Sequence, residues 1–476
     1  MVDSVNSVKK LFMKRPMLDH VNIPKILKSA LRKGGDFADV FYEYVQPTSI
    51  VYEDKKIEKI ISGIDTGVGL RVIYHNKTAY AYANQVTDEG LLDLADAVSC
   101  ACQGKVFNKD INVMRRTPGI THLIKMSPQE IHIDKKVAMV KRASEVAQSW
   151  DSRIKQVKVV YGDSLRRIAV ANSDGDFIED QRVSILFTVQ VVAASEQIIQ
   201  TGYESVGGVM GFELFDEYPP EKIAEIASSR AVNMLEARRA PGGRMTVVLS
   251  SEAGGTMIHE AIGHGLEADL AQAGLSVYSS KVGRDVASPL MTVVDDATLP
   301  NKRGSFGCDD EGVTAQRTVL VEGGILKGYL YDRLTAMKDH TRSTGNGRRE
   351  SYQHRPLPRM TNTFIMPGTT TPEEIIRTTS KGLFVKKMGG GQVNTVNGDF
   401  VFEVNEGYLI EGGTIGDPVR GATLTGNGPT LLKEIDMVGN DFGFGIGTCG
   451  KDGQGVPVSD AQPTLRIPEI IVGGEV

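Results

Sequence analysis

The sequence predicts an α+β chain of two domains, with mainly antiparallel sheets flanked by helices and a second half built of Gly-rich strand and loop. Three observations carry this expectation. Apolar residues alternate with period two in runs joined by turn-forming residues, which is the mark of hairpins. Helical stretches stand apart from these runs rather than between every pair, so the βαβ rhythm of a parallel sheet is missing. Finally, Ala240-Pro-Gly-Gly243 is a short turn-forming break ahead of a new strand. It divides the chain into an N-terminal α+β domain, residues 1–240, which carries substrate- and partner-facing surface, and a C-terminal domain, residues 241–476.

Residues 22–34 read as a first helix, followed by strands at Val40–Tyr44, Ser49–Tyr52, Gly67–Tyr74 and Thr78–Ala83. Thr87-x-x-Gly90 opens a capped helix through Leu91–Cys102, and a loop rich in Lys, Asn and Arg spans 104–120. Ser127-x-x-Glu130 has the form of a capping box at the head of a helix running to Trp150. Strands are expected at Ile154–Val160, Arg167–Ala171 and Val183–Ala193, with Asn172–Gly175 as a hairpin turn. Pro219 and Pro220 start a helix to about Arg239. In the second half, Arg317–Glu322 and Ile325–Leu330 flank the Gly323-Gly324 turn. Later strands are expected at Asn362–Met366, Gly382–Lys386, Phe400–Asn405 and Tyr408–Ile410, and helices near Pro372–Thr379 and Pro429–Val438.

Bulk composition narrows the function classes. A chain of 476 residues with net charge −5 has no global basic field for nucleic acid. Four cysteines do not make a disulfide framework, and no apolar run approaches membrane-spanning length. The N-terminus carries Lys9, Lys10, Lys14 and Arg15 without an apolar secretory core, so a reducing, cytoplasmic setting is expected.

The chemistry concentrates in His259-Glu260-Ala261-Ile262-Gly263-His264. Two imidazoles suit zinc, and a carboxylate beside them can take a proton from water held at the metal. The familiar metalloprotease spacing places the two histidines four apart; here they are five apart. On an ideal helix that separates them by roughly 140°. Both reach one ion only where the turn loosens, as a π-type turn or an early helix end at Gly263-His264-Gly265 would allow. The motif follows an apolar strand, Met245–Leu249, and a small-residue stretch, which sets a helix start at a strand's end.

Two histidines leave a catalytic zinc one protein ligand short. Glu267 or Asp269, Cys308 in Gly-Cys-Asp-Asp-Glu-Gly, and Cys449 in the Gly-rich loop 443–455 all qualify, and spacing does not choose among them. Gly445-x-Gly447-x-x-Gly450 matches a dinucleotide fingerprint in form, but Gly453, Gly455 and Pro457 forbid the helix it requires, and no P-loop is present. Arg342, Arg348, Arg349, His354, Arg355 and Arg359 fall in a polar segment, 341–360, which reads as a solvated or dimer-contact loop, or as a lid for substrate carboxylates.

Taken together, His259-Glu-Ala-Ile-Gly-His264-Gly-Leu-Glu-Ala-Asp269, Asp309-Asp-Glu-Gly312 and Cys449-Gly-Lys-Asp-Gly-Gln-Gly-Val-Pro457 resemble the TldD/PmbA family of metalloproteases, on its TldD side, from about residue 22 to almost the end. The resemblance implies zinc held by His259, His264 and Cys449, with Glu260 as catalytic carboxylate in a C-terminal catalytic domain. It implies a peptidase acting on peptides or unfolded polypeptide in extended form, as a homodimer or paired with a PmbA-type subunit. Older family names invoke DNA gyrase, but the acidic balance gives direct DNA binding no support. The competing expectations are a non-catalytic regulatory or scaffold subunit with a structural metal, and a metal-dependent hydrolase of small amides.

Overall fold

In the computed structural model, residues 17–104 and 110–474 are described; the basic N-terminal residues 9–15 and part of the 104–120 loop lie outside them. Among the described residues the chain is α+β, built on three large sheets. The first uses only residues from the N-terminal half. Its spine runs Lys77–Ala83, Asp65–Tyr74, Phe37–Glu53, Ile154–Asn172 and Asp176–Ser195, all antiparallel. Ile198–Gly208 extends it beside Asp176–Ser195. Helices Ile133–Ser149 and Pro220–Glu236 bury Val140, Ala143, Ala224 and Ala227 against Val159, Phe187 and Val189 of this sheet.

Several strands are longer than the alternation suggests. Val40–Tyr44 and Ser49–Tyr52 belong to one strand, Phe37–Glu53, which carries Pro47. Along one edge that strand pairs with Asp65–Tyr74 through Val45 and with Lys56–Ser62 from Thr48 on, so Pro47 falls in the gap between two partners. A proline is tolerated there because neither ladder asks for its missing N–H. Lys56–Ser62, exposed throughout, gives no alternating pattern. Ile154–Asn172 is likewise continuous, and the Asn172–Gly175 turn carries Gly175 at φ +98°. Ser127 caps no helix: Pro128–Glu130 is a single 3₁₀ turn, Ser127 Oγ donates to Gln129, and the helix begins at Ile133.

The second sheet closes on itself. Lys381–Val393 pairs in parallel with Gly243–Leu249 and antiparallel with Asp399–Glu411, and the ring is completed by Leu465–Gly473 and Thr423–Asn427. Val247, Leu249, Leu383, Val385, Phe402, Leu424 and Ile467 fill its core. Gly389–Gly391 therefore lies within a strand, whereas Gly412-Gly413 is a turn with both residues at positive φ. The third sheet contains Val293–Asp296, Arg317–Glu322, Asn362–Ile365 and Gln454–Gln462, with Gly443–Lys451 along one edge. The Gly-rich segment around Cys449 is thus an edge strand rather than a loop, in register with Gln454–Gln462.

Buried ion pairs tie the N-terminal sheet to the C-terminal half. Arg71 reaches Asp39 and, at 2.7 Å, Glu311. Arg182 bonds Asp310 at 2.9 Å and the Cys308 carbonyl at 2.5 Å. The 309–312 turn that stood out in the sequence is this junction. Gly312, at φ +78°, packs on Val170 and Ile178 with no room for a side chain.

Candidate metal centre

The strand Gly243–Leu249 ends at Ser250, and Gly254 (φ +79°) turns the chain into the segment that carries the histidines. A Cβ on Gly255 would collide with the backbone of Asp460 and Ala461, so only glycine lets this start sit against the strand Gln454–Gln462. Its N–H donates to Asp460 Oδ1 at 3.1 Å. One α-turn, Thr256–Ile258, opens into a π-helical turn, His259–Gly263, and then tightens to a 3₁₀ turn, His264–Leu266. The five-residue spacing needs this widening: it brings the two imidazole rings to 4.9 Å, nearly perpendicular at 89°. Gly263 is helical (φ −55°, ψ −59°), so its small size serves packing rather than backbone freedom. A Cβ there would run into the Met360 thioether.

His259, His264 and Cys449 come together, with their ligand atoms within 4.8 Å of one another. Cys449 Sγ lies 3.5 Å from His264 Nε2. A tetrahedral zinc with ordinary Zn–S and Zn–N lengths separates such a pair by about 3.6 Å. Two imidazoles and a thiolate are also the donor types a borderline-soft cation selects. The residues present fit zinc. Of the other third-ligand candidates, Cys308 is buried elsewhere, among Phe41, Ile168, Val170, Ile178 and Tyr352. Glu267 and Asp269 stand behind the histidine instead of beside it.

Those supporting contacts were not foreseen from the sequence. Glu267, fully buried, meets His264 Nδ1 at 3.0 Å and accepts from Lys451 Nζ at 3.0 Å. Lys451 also donates to Asp269 at 2.7 Å. On the other side, His259 Nδ1 is buried without a hydrogen bond, 3.9 Å from Asp460. Carboxylates behind ligating histidines fix ring orientation and raise basicity. The signal for Lys451 was present but hidden: two residues after Cys449 on a strand, it shares that residue's face.

The electrostatics match these contacts. Burial pushes the Cys449 thiol up, but His259 and His264 outweigh it and hold the group at about 5. Burial lowers His264, yet Glu267 and Cys449 raise it well above its ordinary value. Glu267 is pushed up by burial and brought down to about 2 by Lys451 and His264. Glu260 is raised, chiefly by burial.

Glu260 and His259 line a cavity of about 570 Å³. Its walls come from both halves of the chain: Thr201 and Tyr203–Ser205 of the N-terminal sheet, Lys387–Gly390 of the closed sheet, and Phe444–Thr448 of the edge strand. The Arg-rich segment forms no lid over it. Arg348, Arg349 and Arg359 are buried, and their guanidinium groups are bonded chiefly to main-chain carbonyls: Arg348 to Met360 and Pro457, Arg349 to Asp310, Arg359 to Cys449 and Gln454. The solvated-loop and lid readings both fail for these three, while Arg342 and Arg355 are exposed. Among the described residues no helix is long and apolar enough to cross a membrane.

Comparison with known proteins gives the family. The profile of the PmbA/TldA metallopeptidase C-terminal domain matches residues 242–474, that of the central domain 127–235, and that of domain 1 38–101. The metalloprotease TldD homolog of Haemophilus influenzae is 38% identical, over 92% of this chain and 93% of its own. The zinc metalloprotease TldD homolog of Saccharolobus solfataricus is 28% identical, over 95% of this chain and all of its own (100%). Among solved structures, TldE from Thermococcus kodakarensis superposes with a TM-score of 0.76 at 18% identity, covering 95% of this chain and 99% of that one, a likeness of fold. The chain belongs to the TldD/PmbA family of metalloproteases, with relatives on its TldD side.

Proposed function

We propose that this protein is a zinc-dependent peptidase that cleaves peptides or unfolded polypeptide segments held in extended form. The observation that carries the reading is the convergence of two imidazoles and a thiolate beside a cavity that His259 and Glu260 line. His259, His264 and Cys449 would hold the ion, which when bound supplies Lewis-acid polarisation of a carbonyl and a lowered pKa for water. Glu260, which lines the cavity beside His259, would take the proton of the attacking water and return it to the leaving amine. The name of the S. solfataricus relative supports zinc.

Substrate binding follows from strand edges. Gly443–Lys451 is paired on one side only, and its residues Phe444–Thr448 face the cavity. Beyond Val385, Lys381–Val393 loses its Gly243–Leu249 partner, and Lys387–Gly390 line the same space. An extended peptide adds to such edges through main-chain hydrogen bonds, which accept varied side chains and exclude folded substrates. The fold shared with TldE supports a second, PmbA/TldE-type subunit as partner, with a homodimer as the simpler assembly.

Glu260→Gln tests the assignment. The variant should keep its metal by elemental analysis and lose about 10²–10⁴ in the rate of digestion of an unfolded polypeptide. Full activity in that variant would remove Glu260 from the mechanism.

A further inference from the structure

The metal site draws its ligands from two segments about 185 residues apart in sequence, as the Cys449–His264 contact shows. The Cys449 strand is an edge strand, held by its own sheet on one side only. Something must fix its distance from the histidine turn. The strand carries Lys451, on the same face as Cys449 and with its side chain 9% exposed. The Lys451 ammonium spans the gap: Glu267 Oε2 at 3.0 Å, Asp269 Oδ1 at 2.7 Å and the Pro358 carbonyl at 3.2 Å satisfy its three protons. Glu267 Oε2 is the same oxygen that meets His264 Nδ1, at 3.0 Å. One carboxylate oxygen therefore joins the two segments. Beneath it, fully buried Arg359 bonds the Cys449 carbonyl at 2.5 Å, and its Nε lies 4.0 Å from Glu267 Oε1.

We propose that Lys451 is a positioning residue that latches the Cys449 strand to the His264 turn, so that thiolate and imidazole stand at ligand spacing before any ion arrives. The latch rests on the metal-site reading above and deepens it. A lysine is needed rather than an apolar residue of similar length. Without the ammonium, Glu267 and Asp269 lose the cation they share, and the strand loses the charged contact that holds the 264–269 segment against it. A preset site also avoids the cost of ordering a free edge strand on binding.

The test measures metal uptake, independent of turnover. Zn²⁺ affinity is read by competition with a chromophoric chelator, and Co²⁺ is used as a spectroscopic probe of the bound thiolate. Lys451→Met should weaken Zn²⁺ binding by about 10–100-fold, the usual loss for outer contacts of a metal site. It should also reduce the thiolate-to-Co²⁺ charge-transfer band per bound ion while the bands from the two imidazoles persist. Lys451→Arg should recover most of both. Asp269→Asn, at a side chain 27% exposed, removes one of the two carboxylates without emptying the core, and should give a smaller loss in the same direction even where Lys451→Met folds poorly. Unchanged affinity and an unchanged band in both variants, in a parent that binds metal, would overturn the latch alone. A parent that takes up neither ion would overturn the metal-site reading along with it.

Discussion

Gly263→Ala asks whether the residue beside the second histidine is glycine for space or for backbone freedom. The backbone there is already helical, so alanine needs no new conformation. A helical Gly→Ala change in free space stabilises by about 0.4–1 kcal/mol. The added methyl, however, would overlap Met360 Sδ and stand 3.1 Å from its Cε and 3.4 Å from the Ile258 carbonyl. Met360 is fully buried, and its carbonyl is gripped by Arg348 at 2.6 Å, so its main chain cannot retreat and the thioether must leave its rotamer. Overpacking of this kind costs about 1–3 kcal/mol. The balance is a net loss of up to about 2.6 kcal/mol. Urea unfolding of metal-free protein measures it, and zinc affinity should drop alongside, because His264 is the next residue. Adding Met360→Ala should make the methyl cheaper than it is in the parent, a coupling expected of residues in contact. A Gly263→Ala protein more stable than its parent would refute the packing argument.

Other outcomes follow from the same contacts. Cys449→Ser should abolish zinc binding with the fold kept, whereas Cys308→Ser should keep full zinc content and lose about 1–3 kcal/mol of stability for burying a hydroxyl; elemental analysis separates the two. Arg349→Met should cost about 1–3 kcal/mol, since it leaves the buried Asp310 carbonyl without its guanidinium donor, and should not selectively raise KM for acidic peptides. Asp309 is pushed up to about 8 from 3.8, first by burial and then by Glu311. The folded chain therefore keeps a proton that the unfolded chain gives up, and stability falls as pH rises between about 4 and 8. Asp309→Asn should flatten that slope, as urea titrations at pH 5 and pH 8 would show; an equal slope would mean that Asp309 is ionised when folded.

The sequence exposed one part of the site and concealed the rest for identifiable reasons. His259, Glu260 and His264 were legible because they are local, and their five-residue spacing even demanded the widened turn that the backbone adopts. Cys449 rested on family resemblance, because spacing carries no information about a ligand on a distant strand. Reading 443–455 as loop also hid Lys451: only strand periodicity places it beside Cys449. The Arg-rich segment misled because polarity in sequence does not distinguish a guanidinium facing water from one bonded to carbonyls inside the protein. The α+β class and the hairpins were readable from turn residues, but strand lengths were not. Phe37–Glu53 and Asp399–Glu411 each look broken where alternation lapses, although their ladders continue.

The buried ion pairs at the 309–312 turn bear on what can enter the cavity. Its walls belong to halves riveted together by Arg71–Glu311 and Arg182–Asp310, buried pairs that any hinge opening would have to separate. Keeping those pairs intact fixes the separation of the halves, so under the proposed function a substrate would be screened by its cross-section. Under the proposed function a single strand of polypeptide would pass and a domain with its structure intact would not, so cleavage would wait on whatever process first unravels the chain.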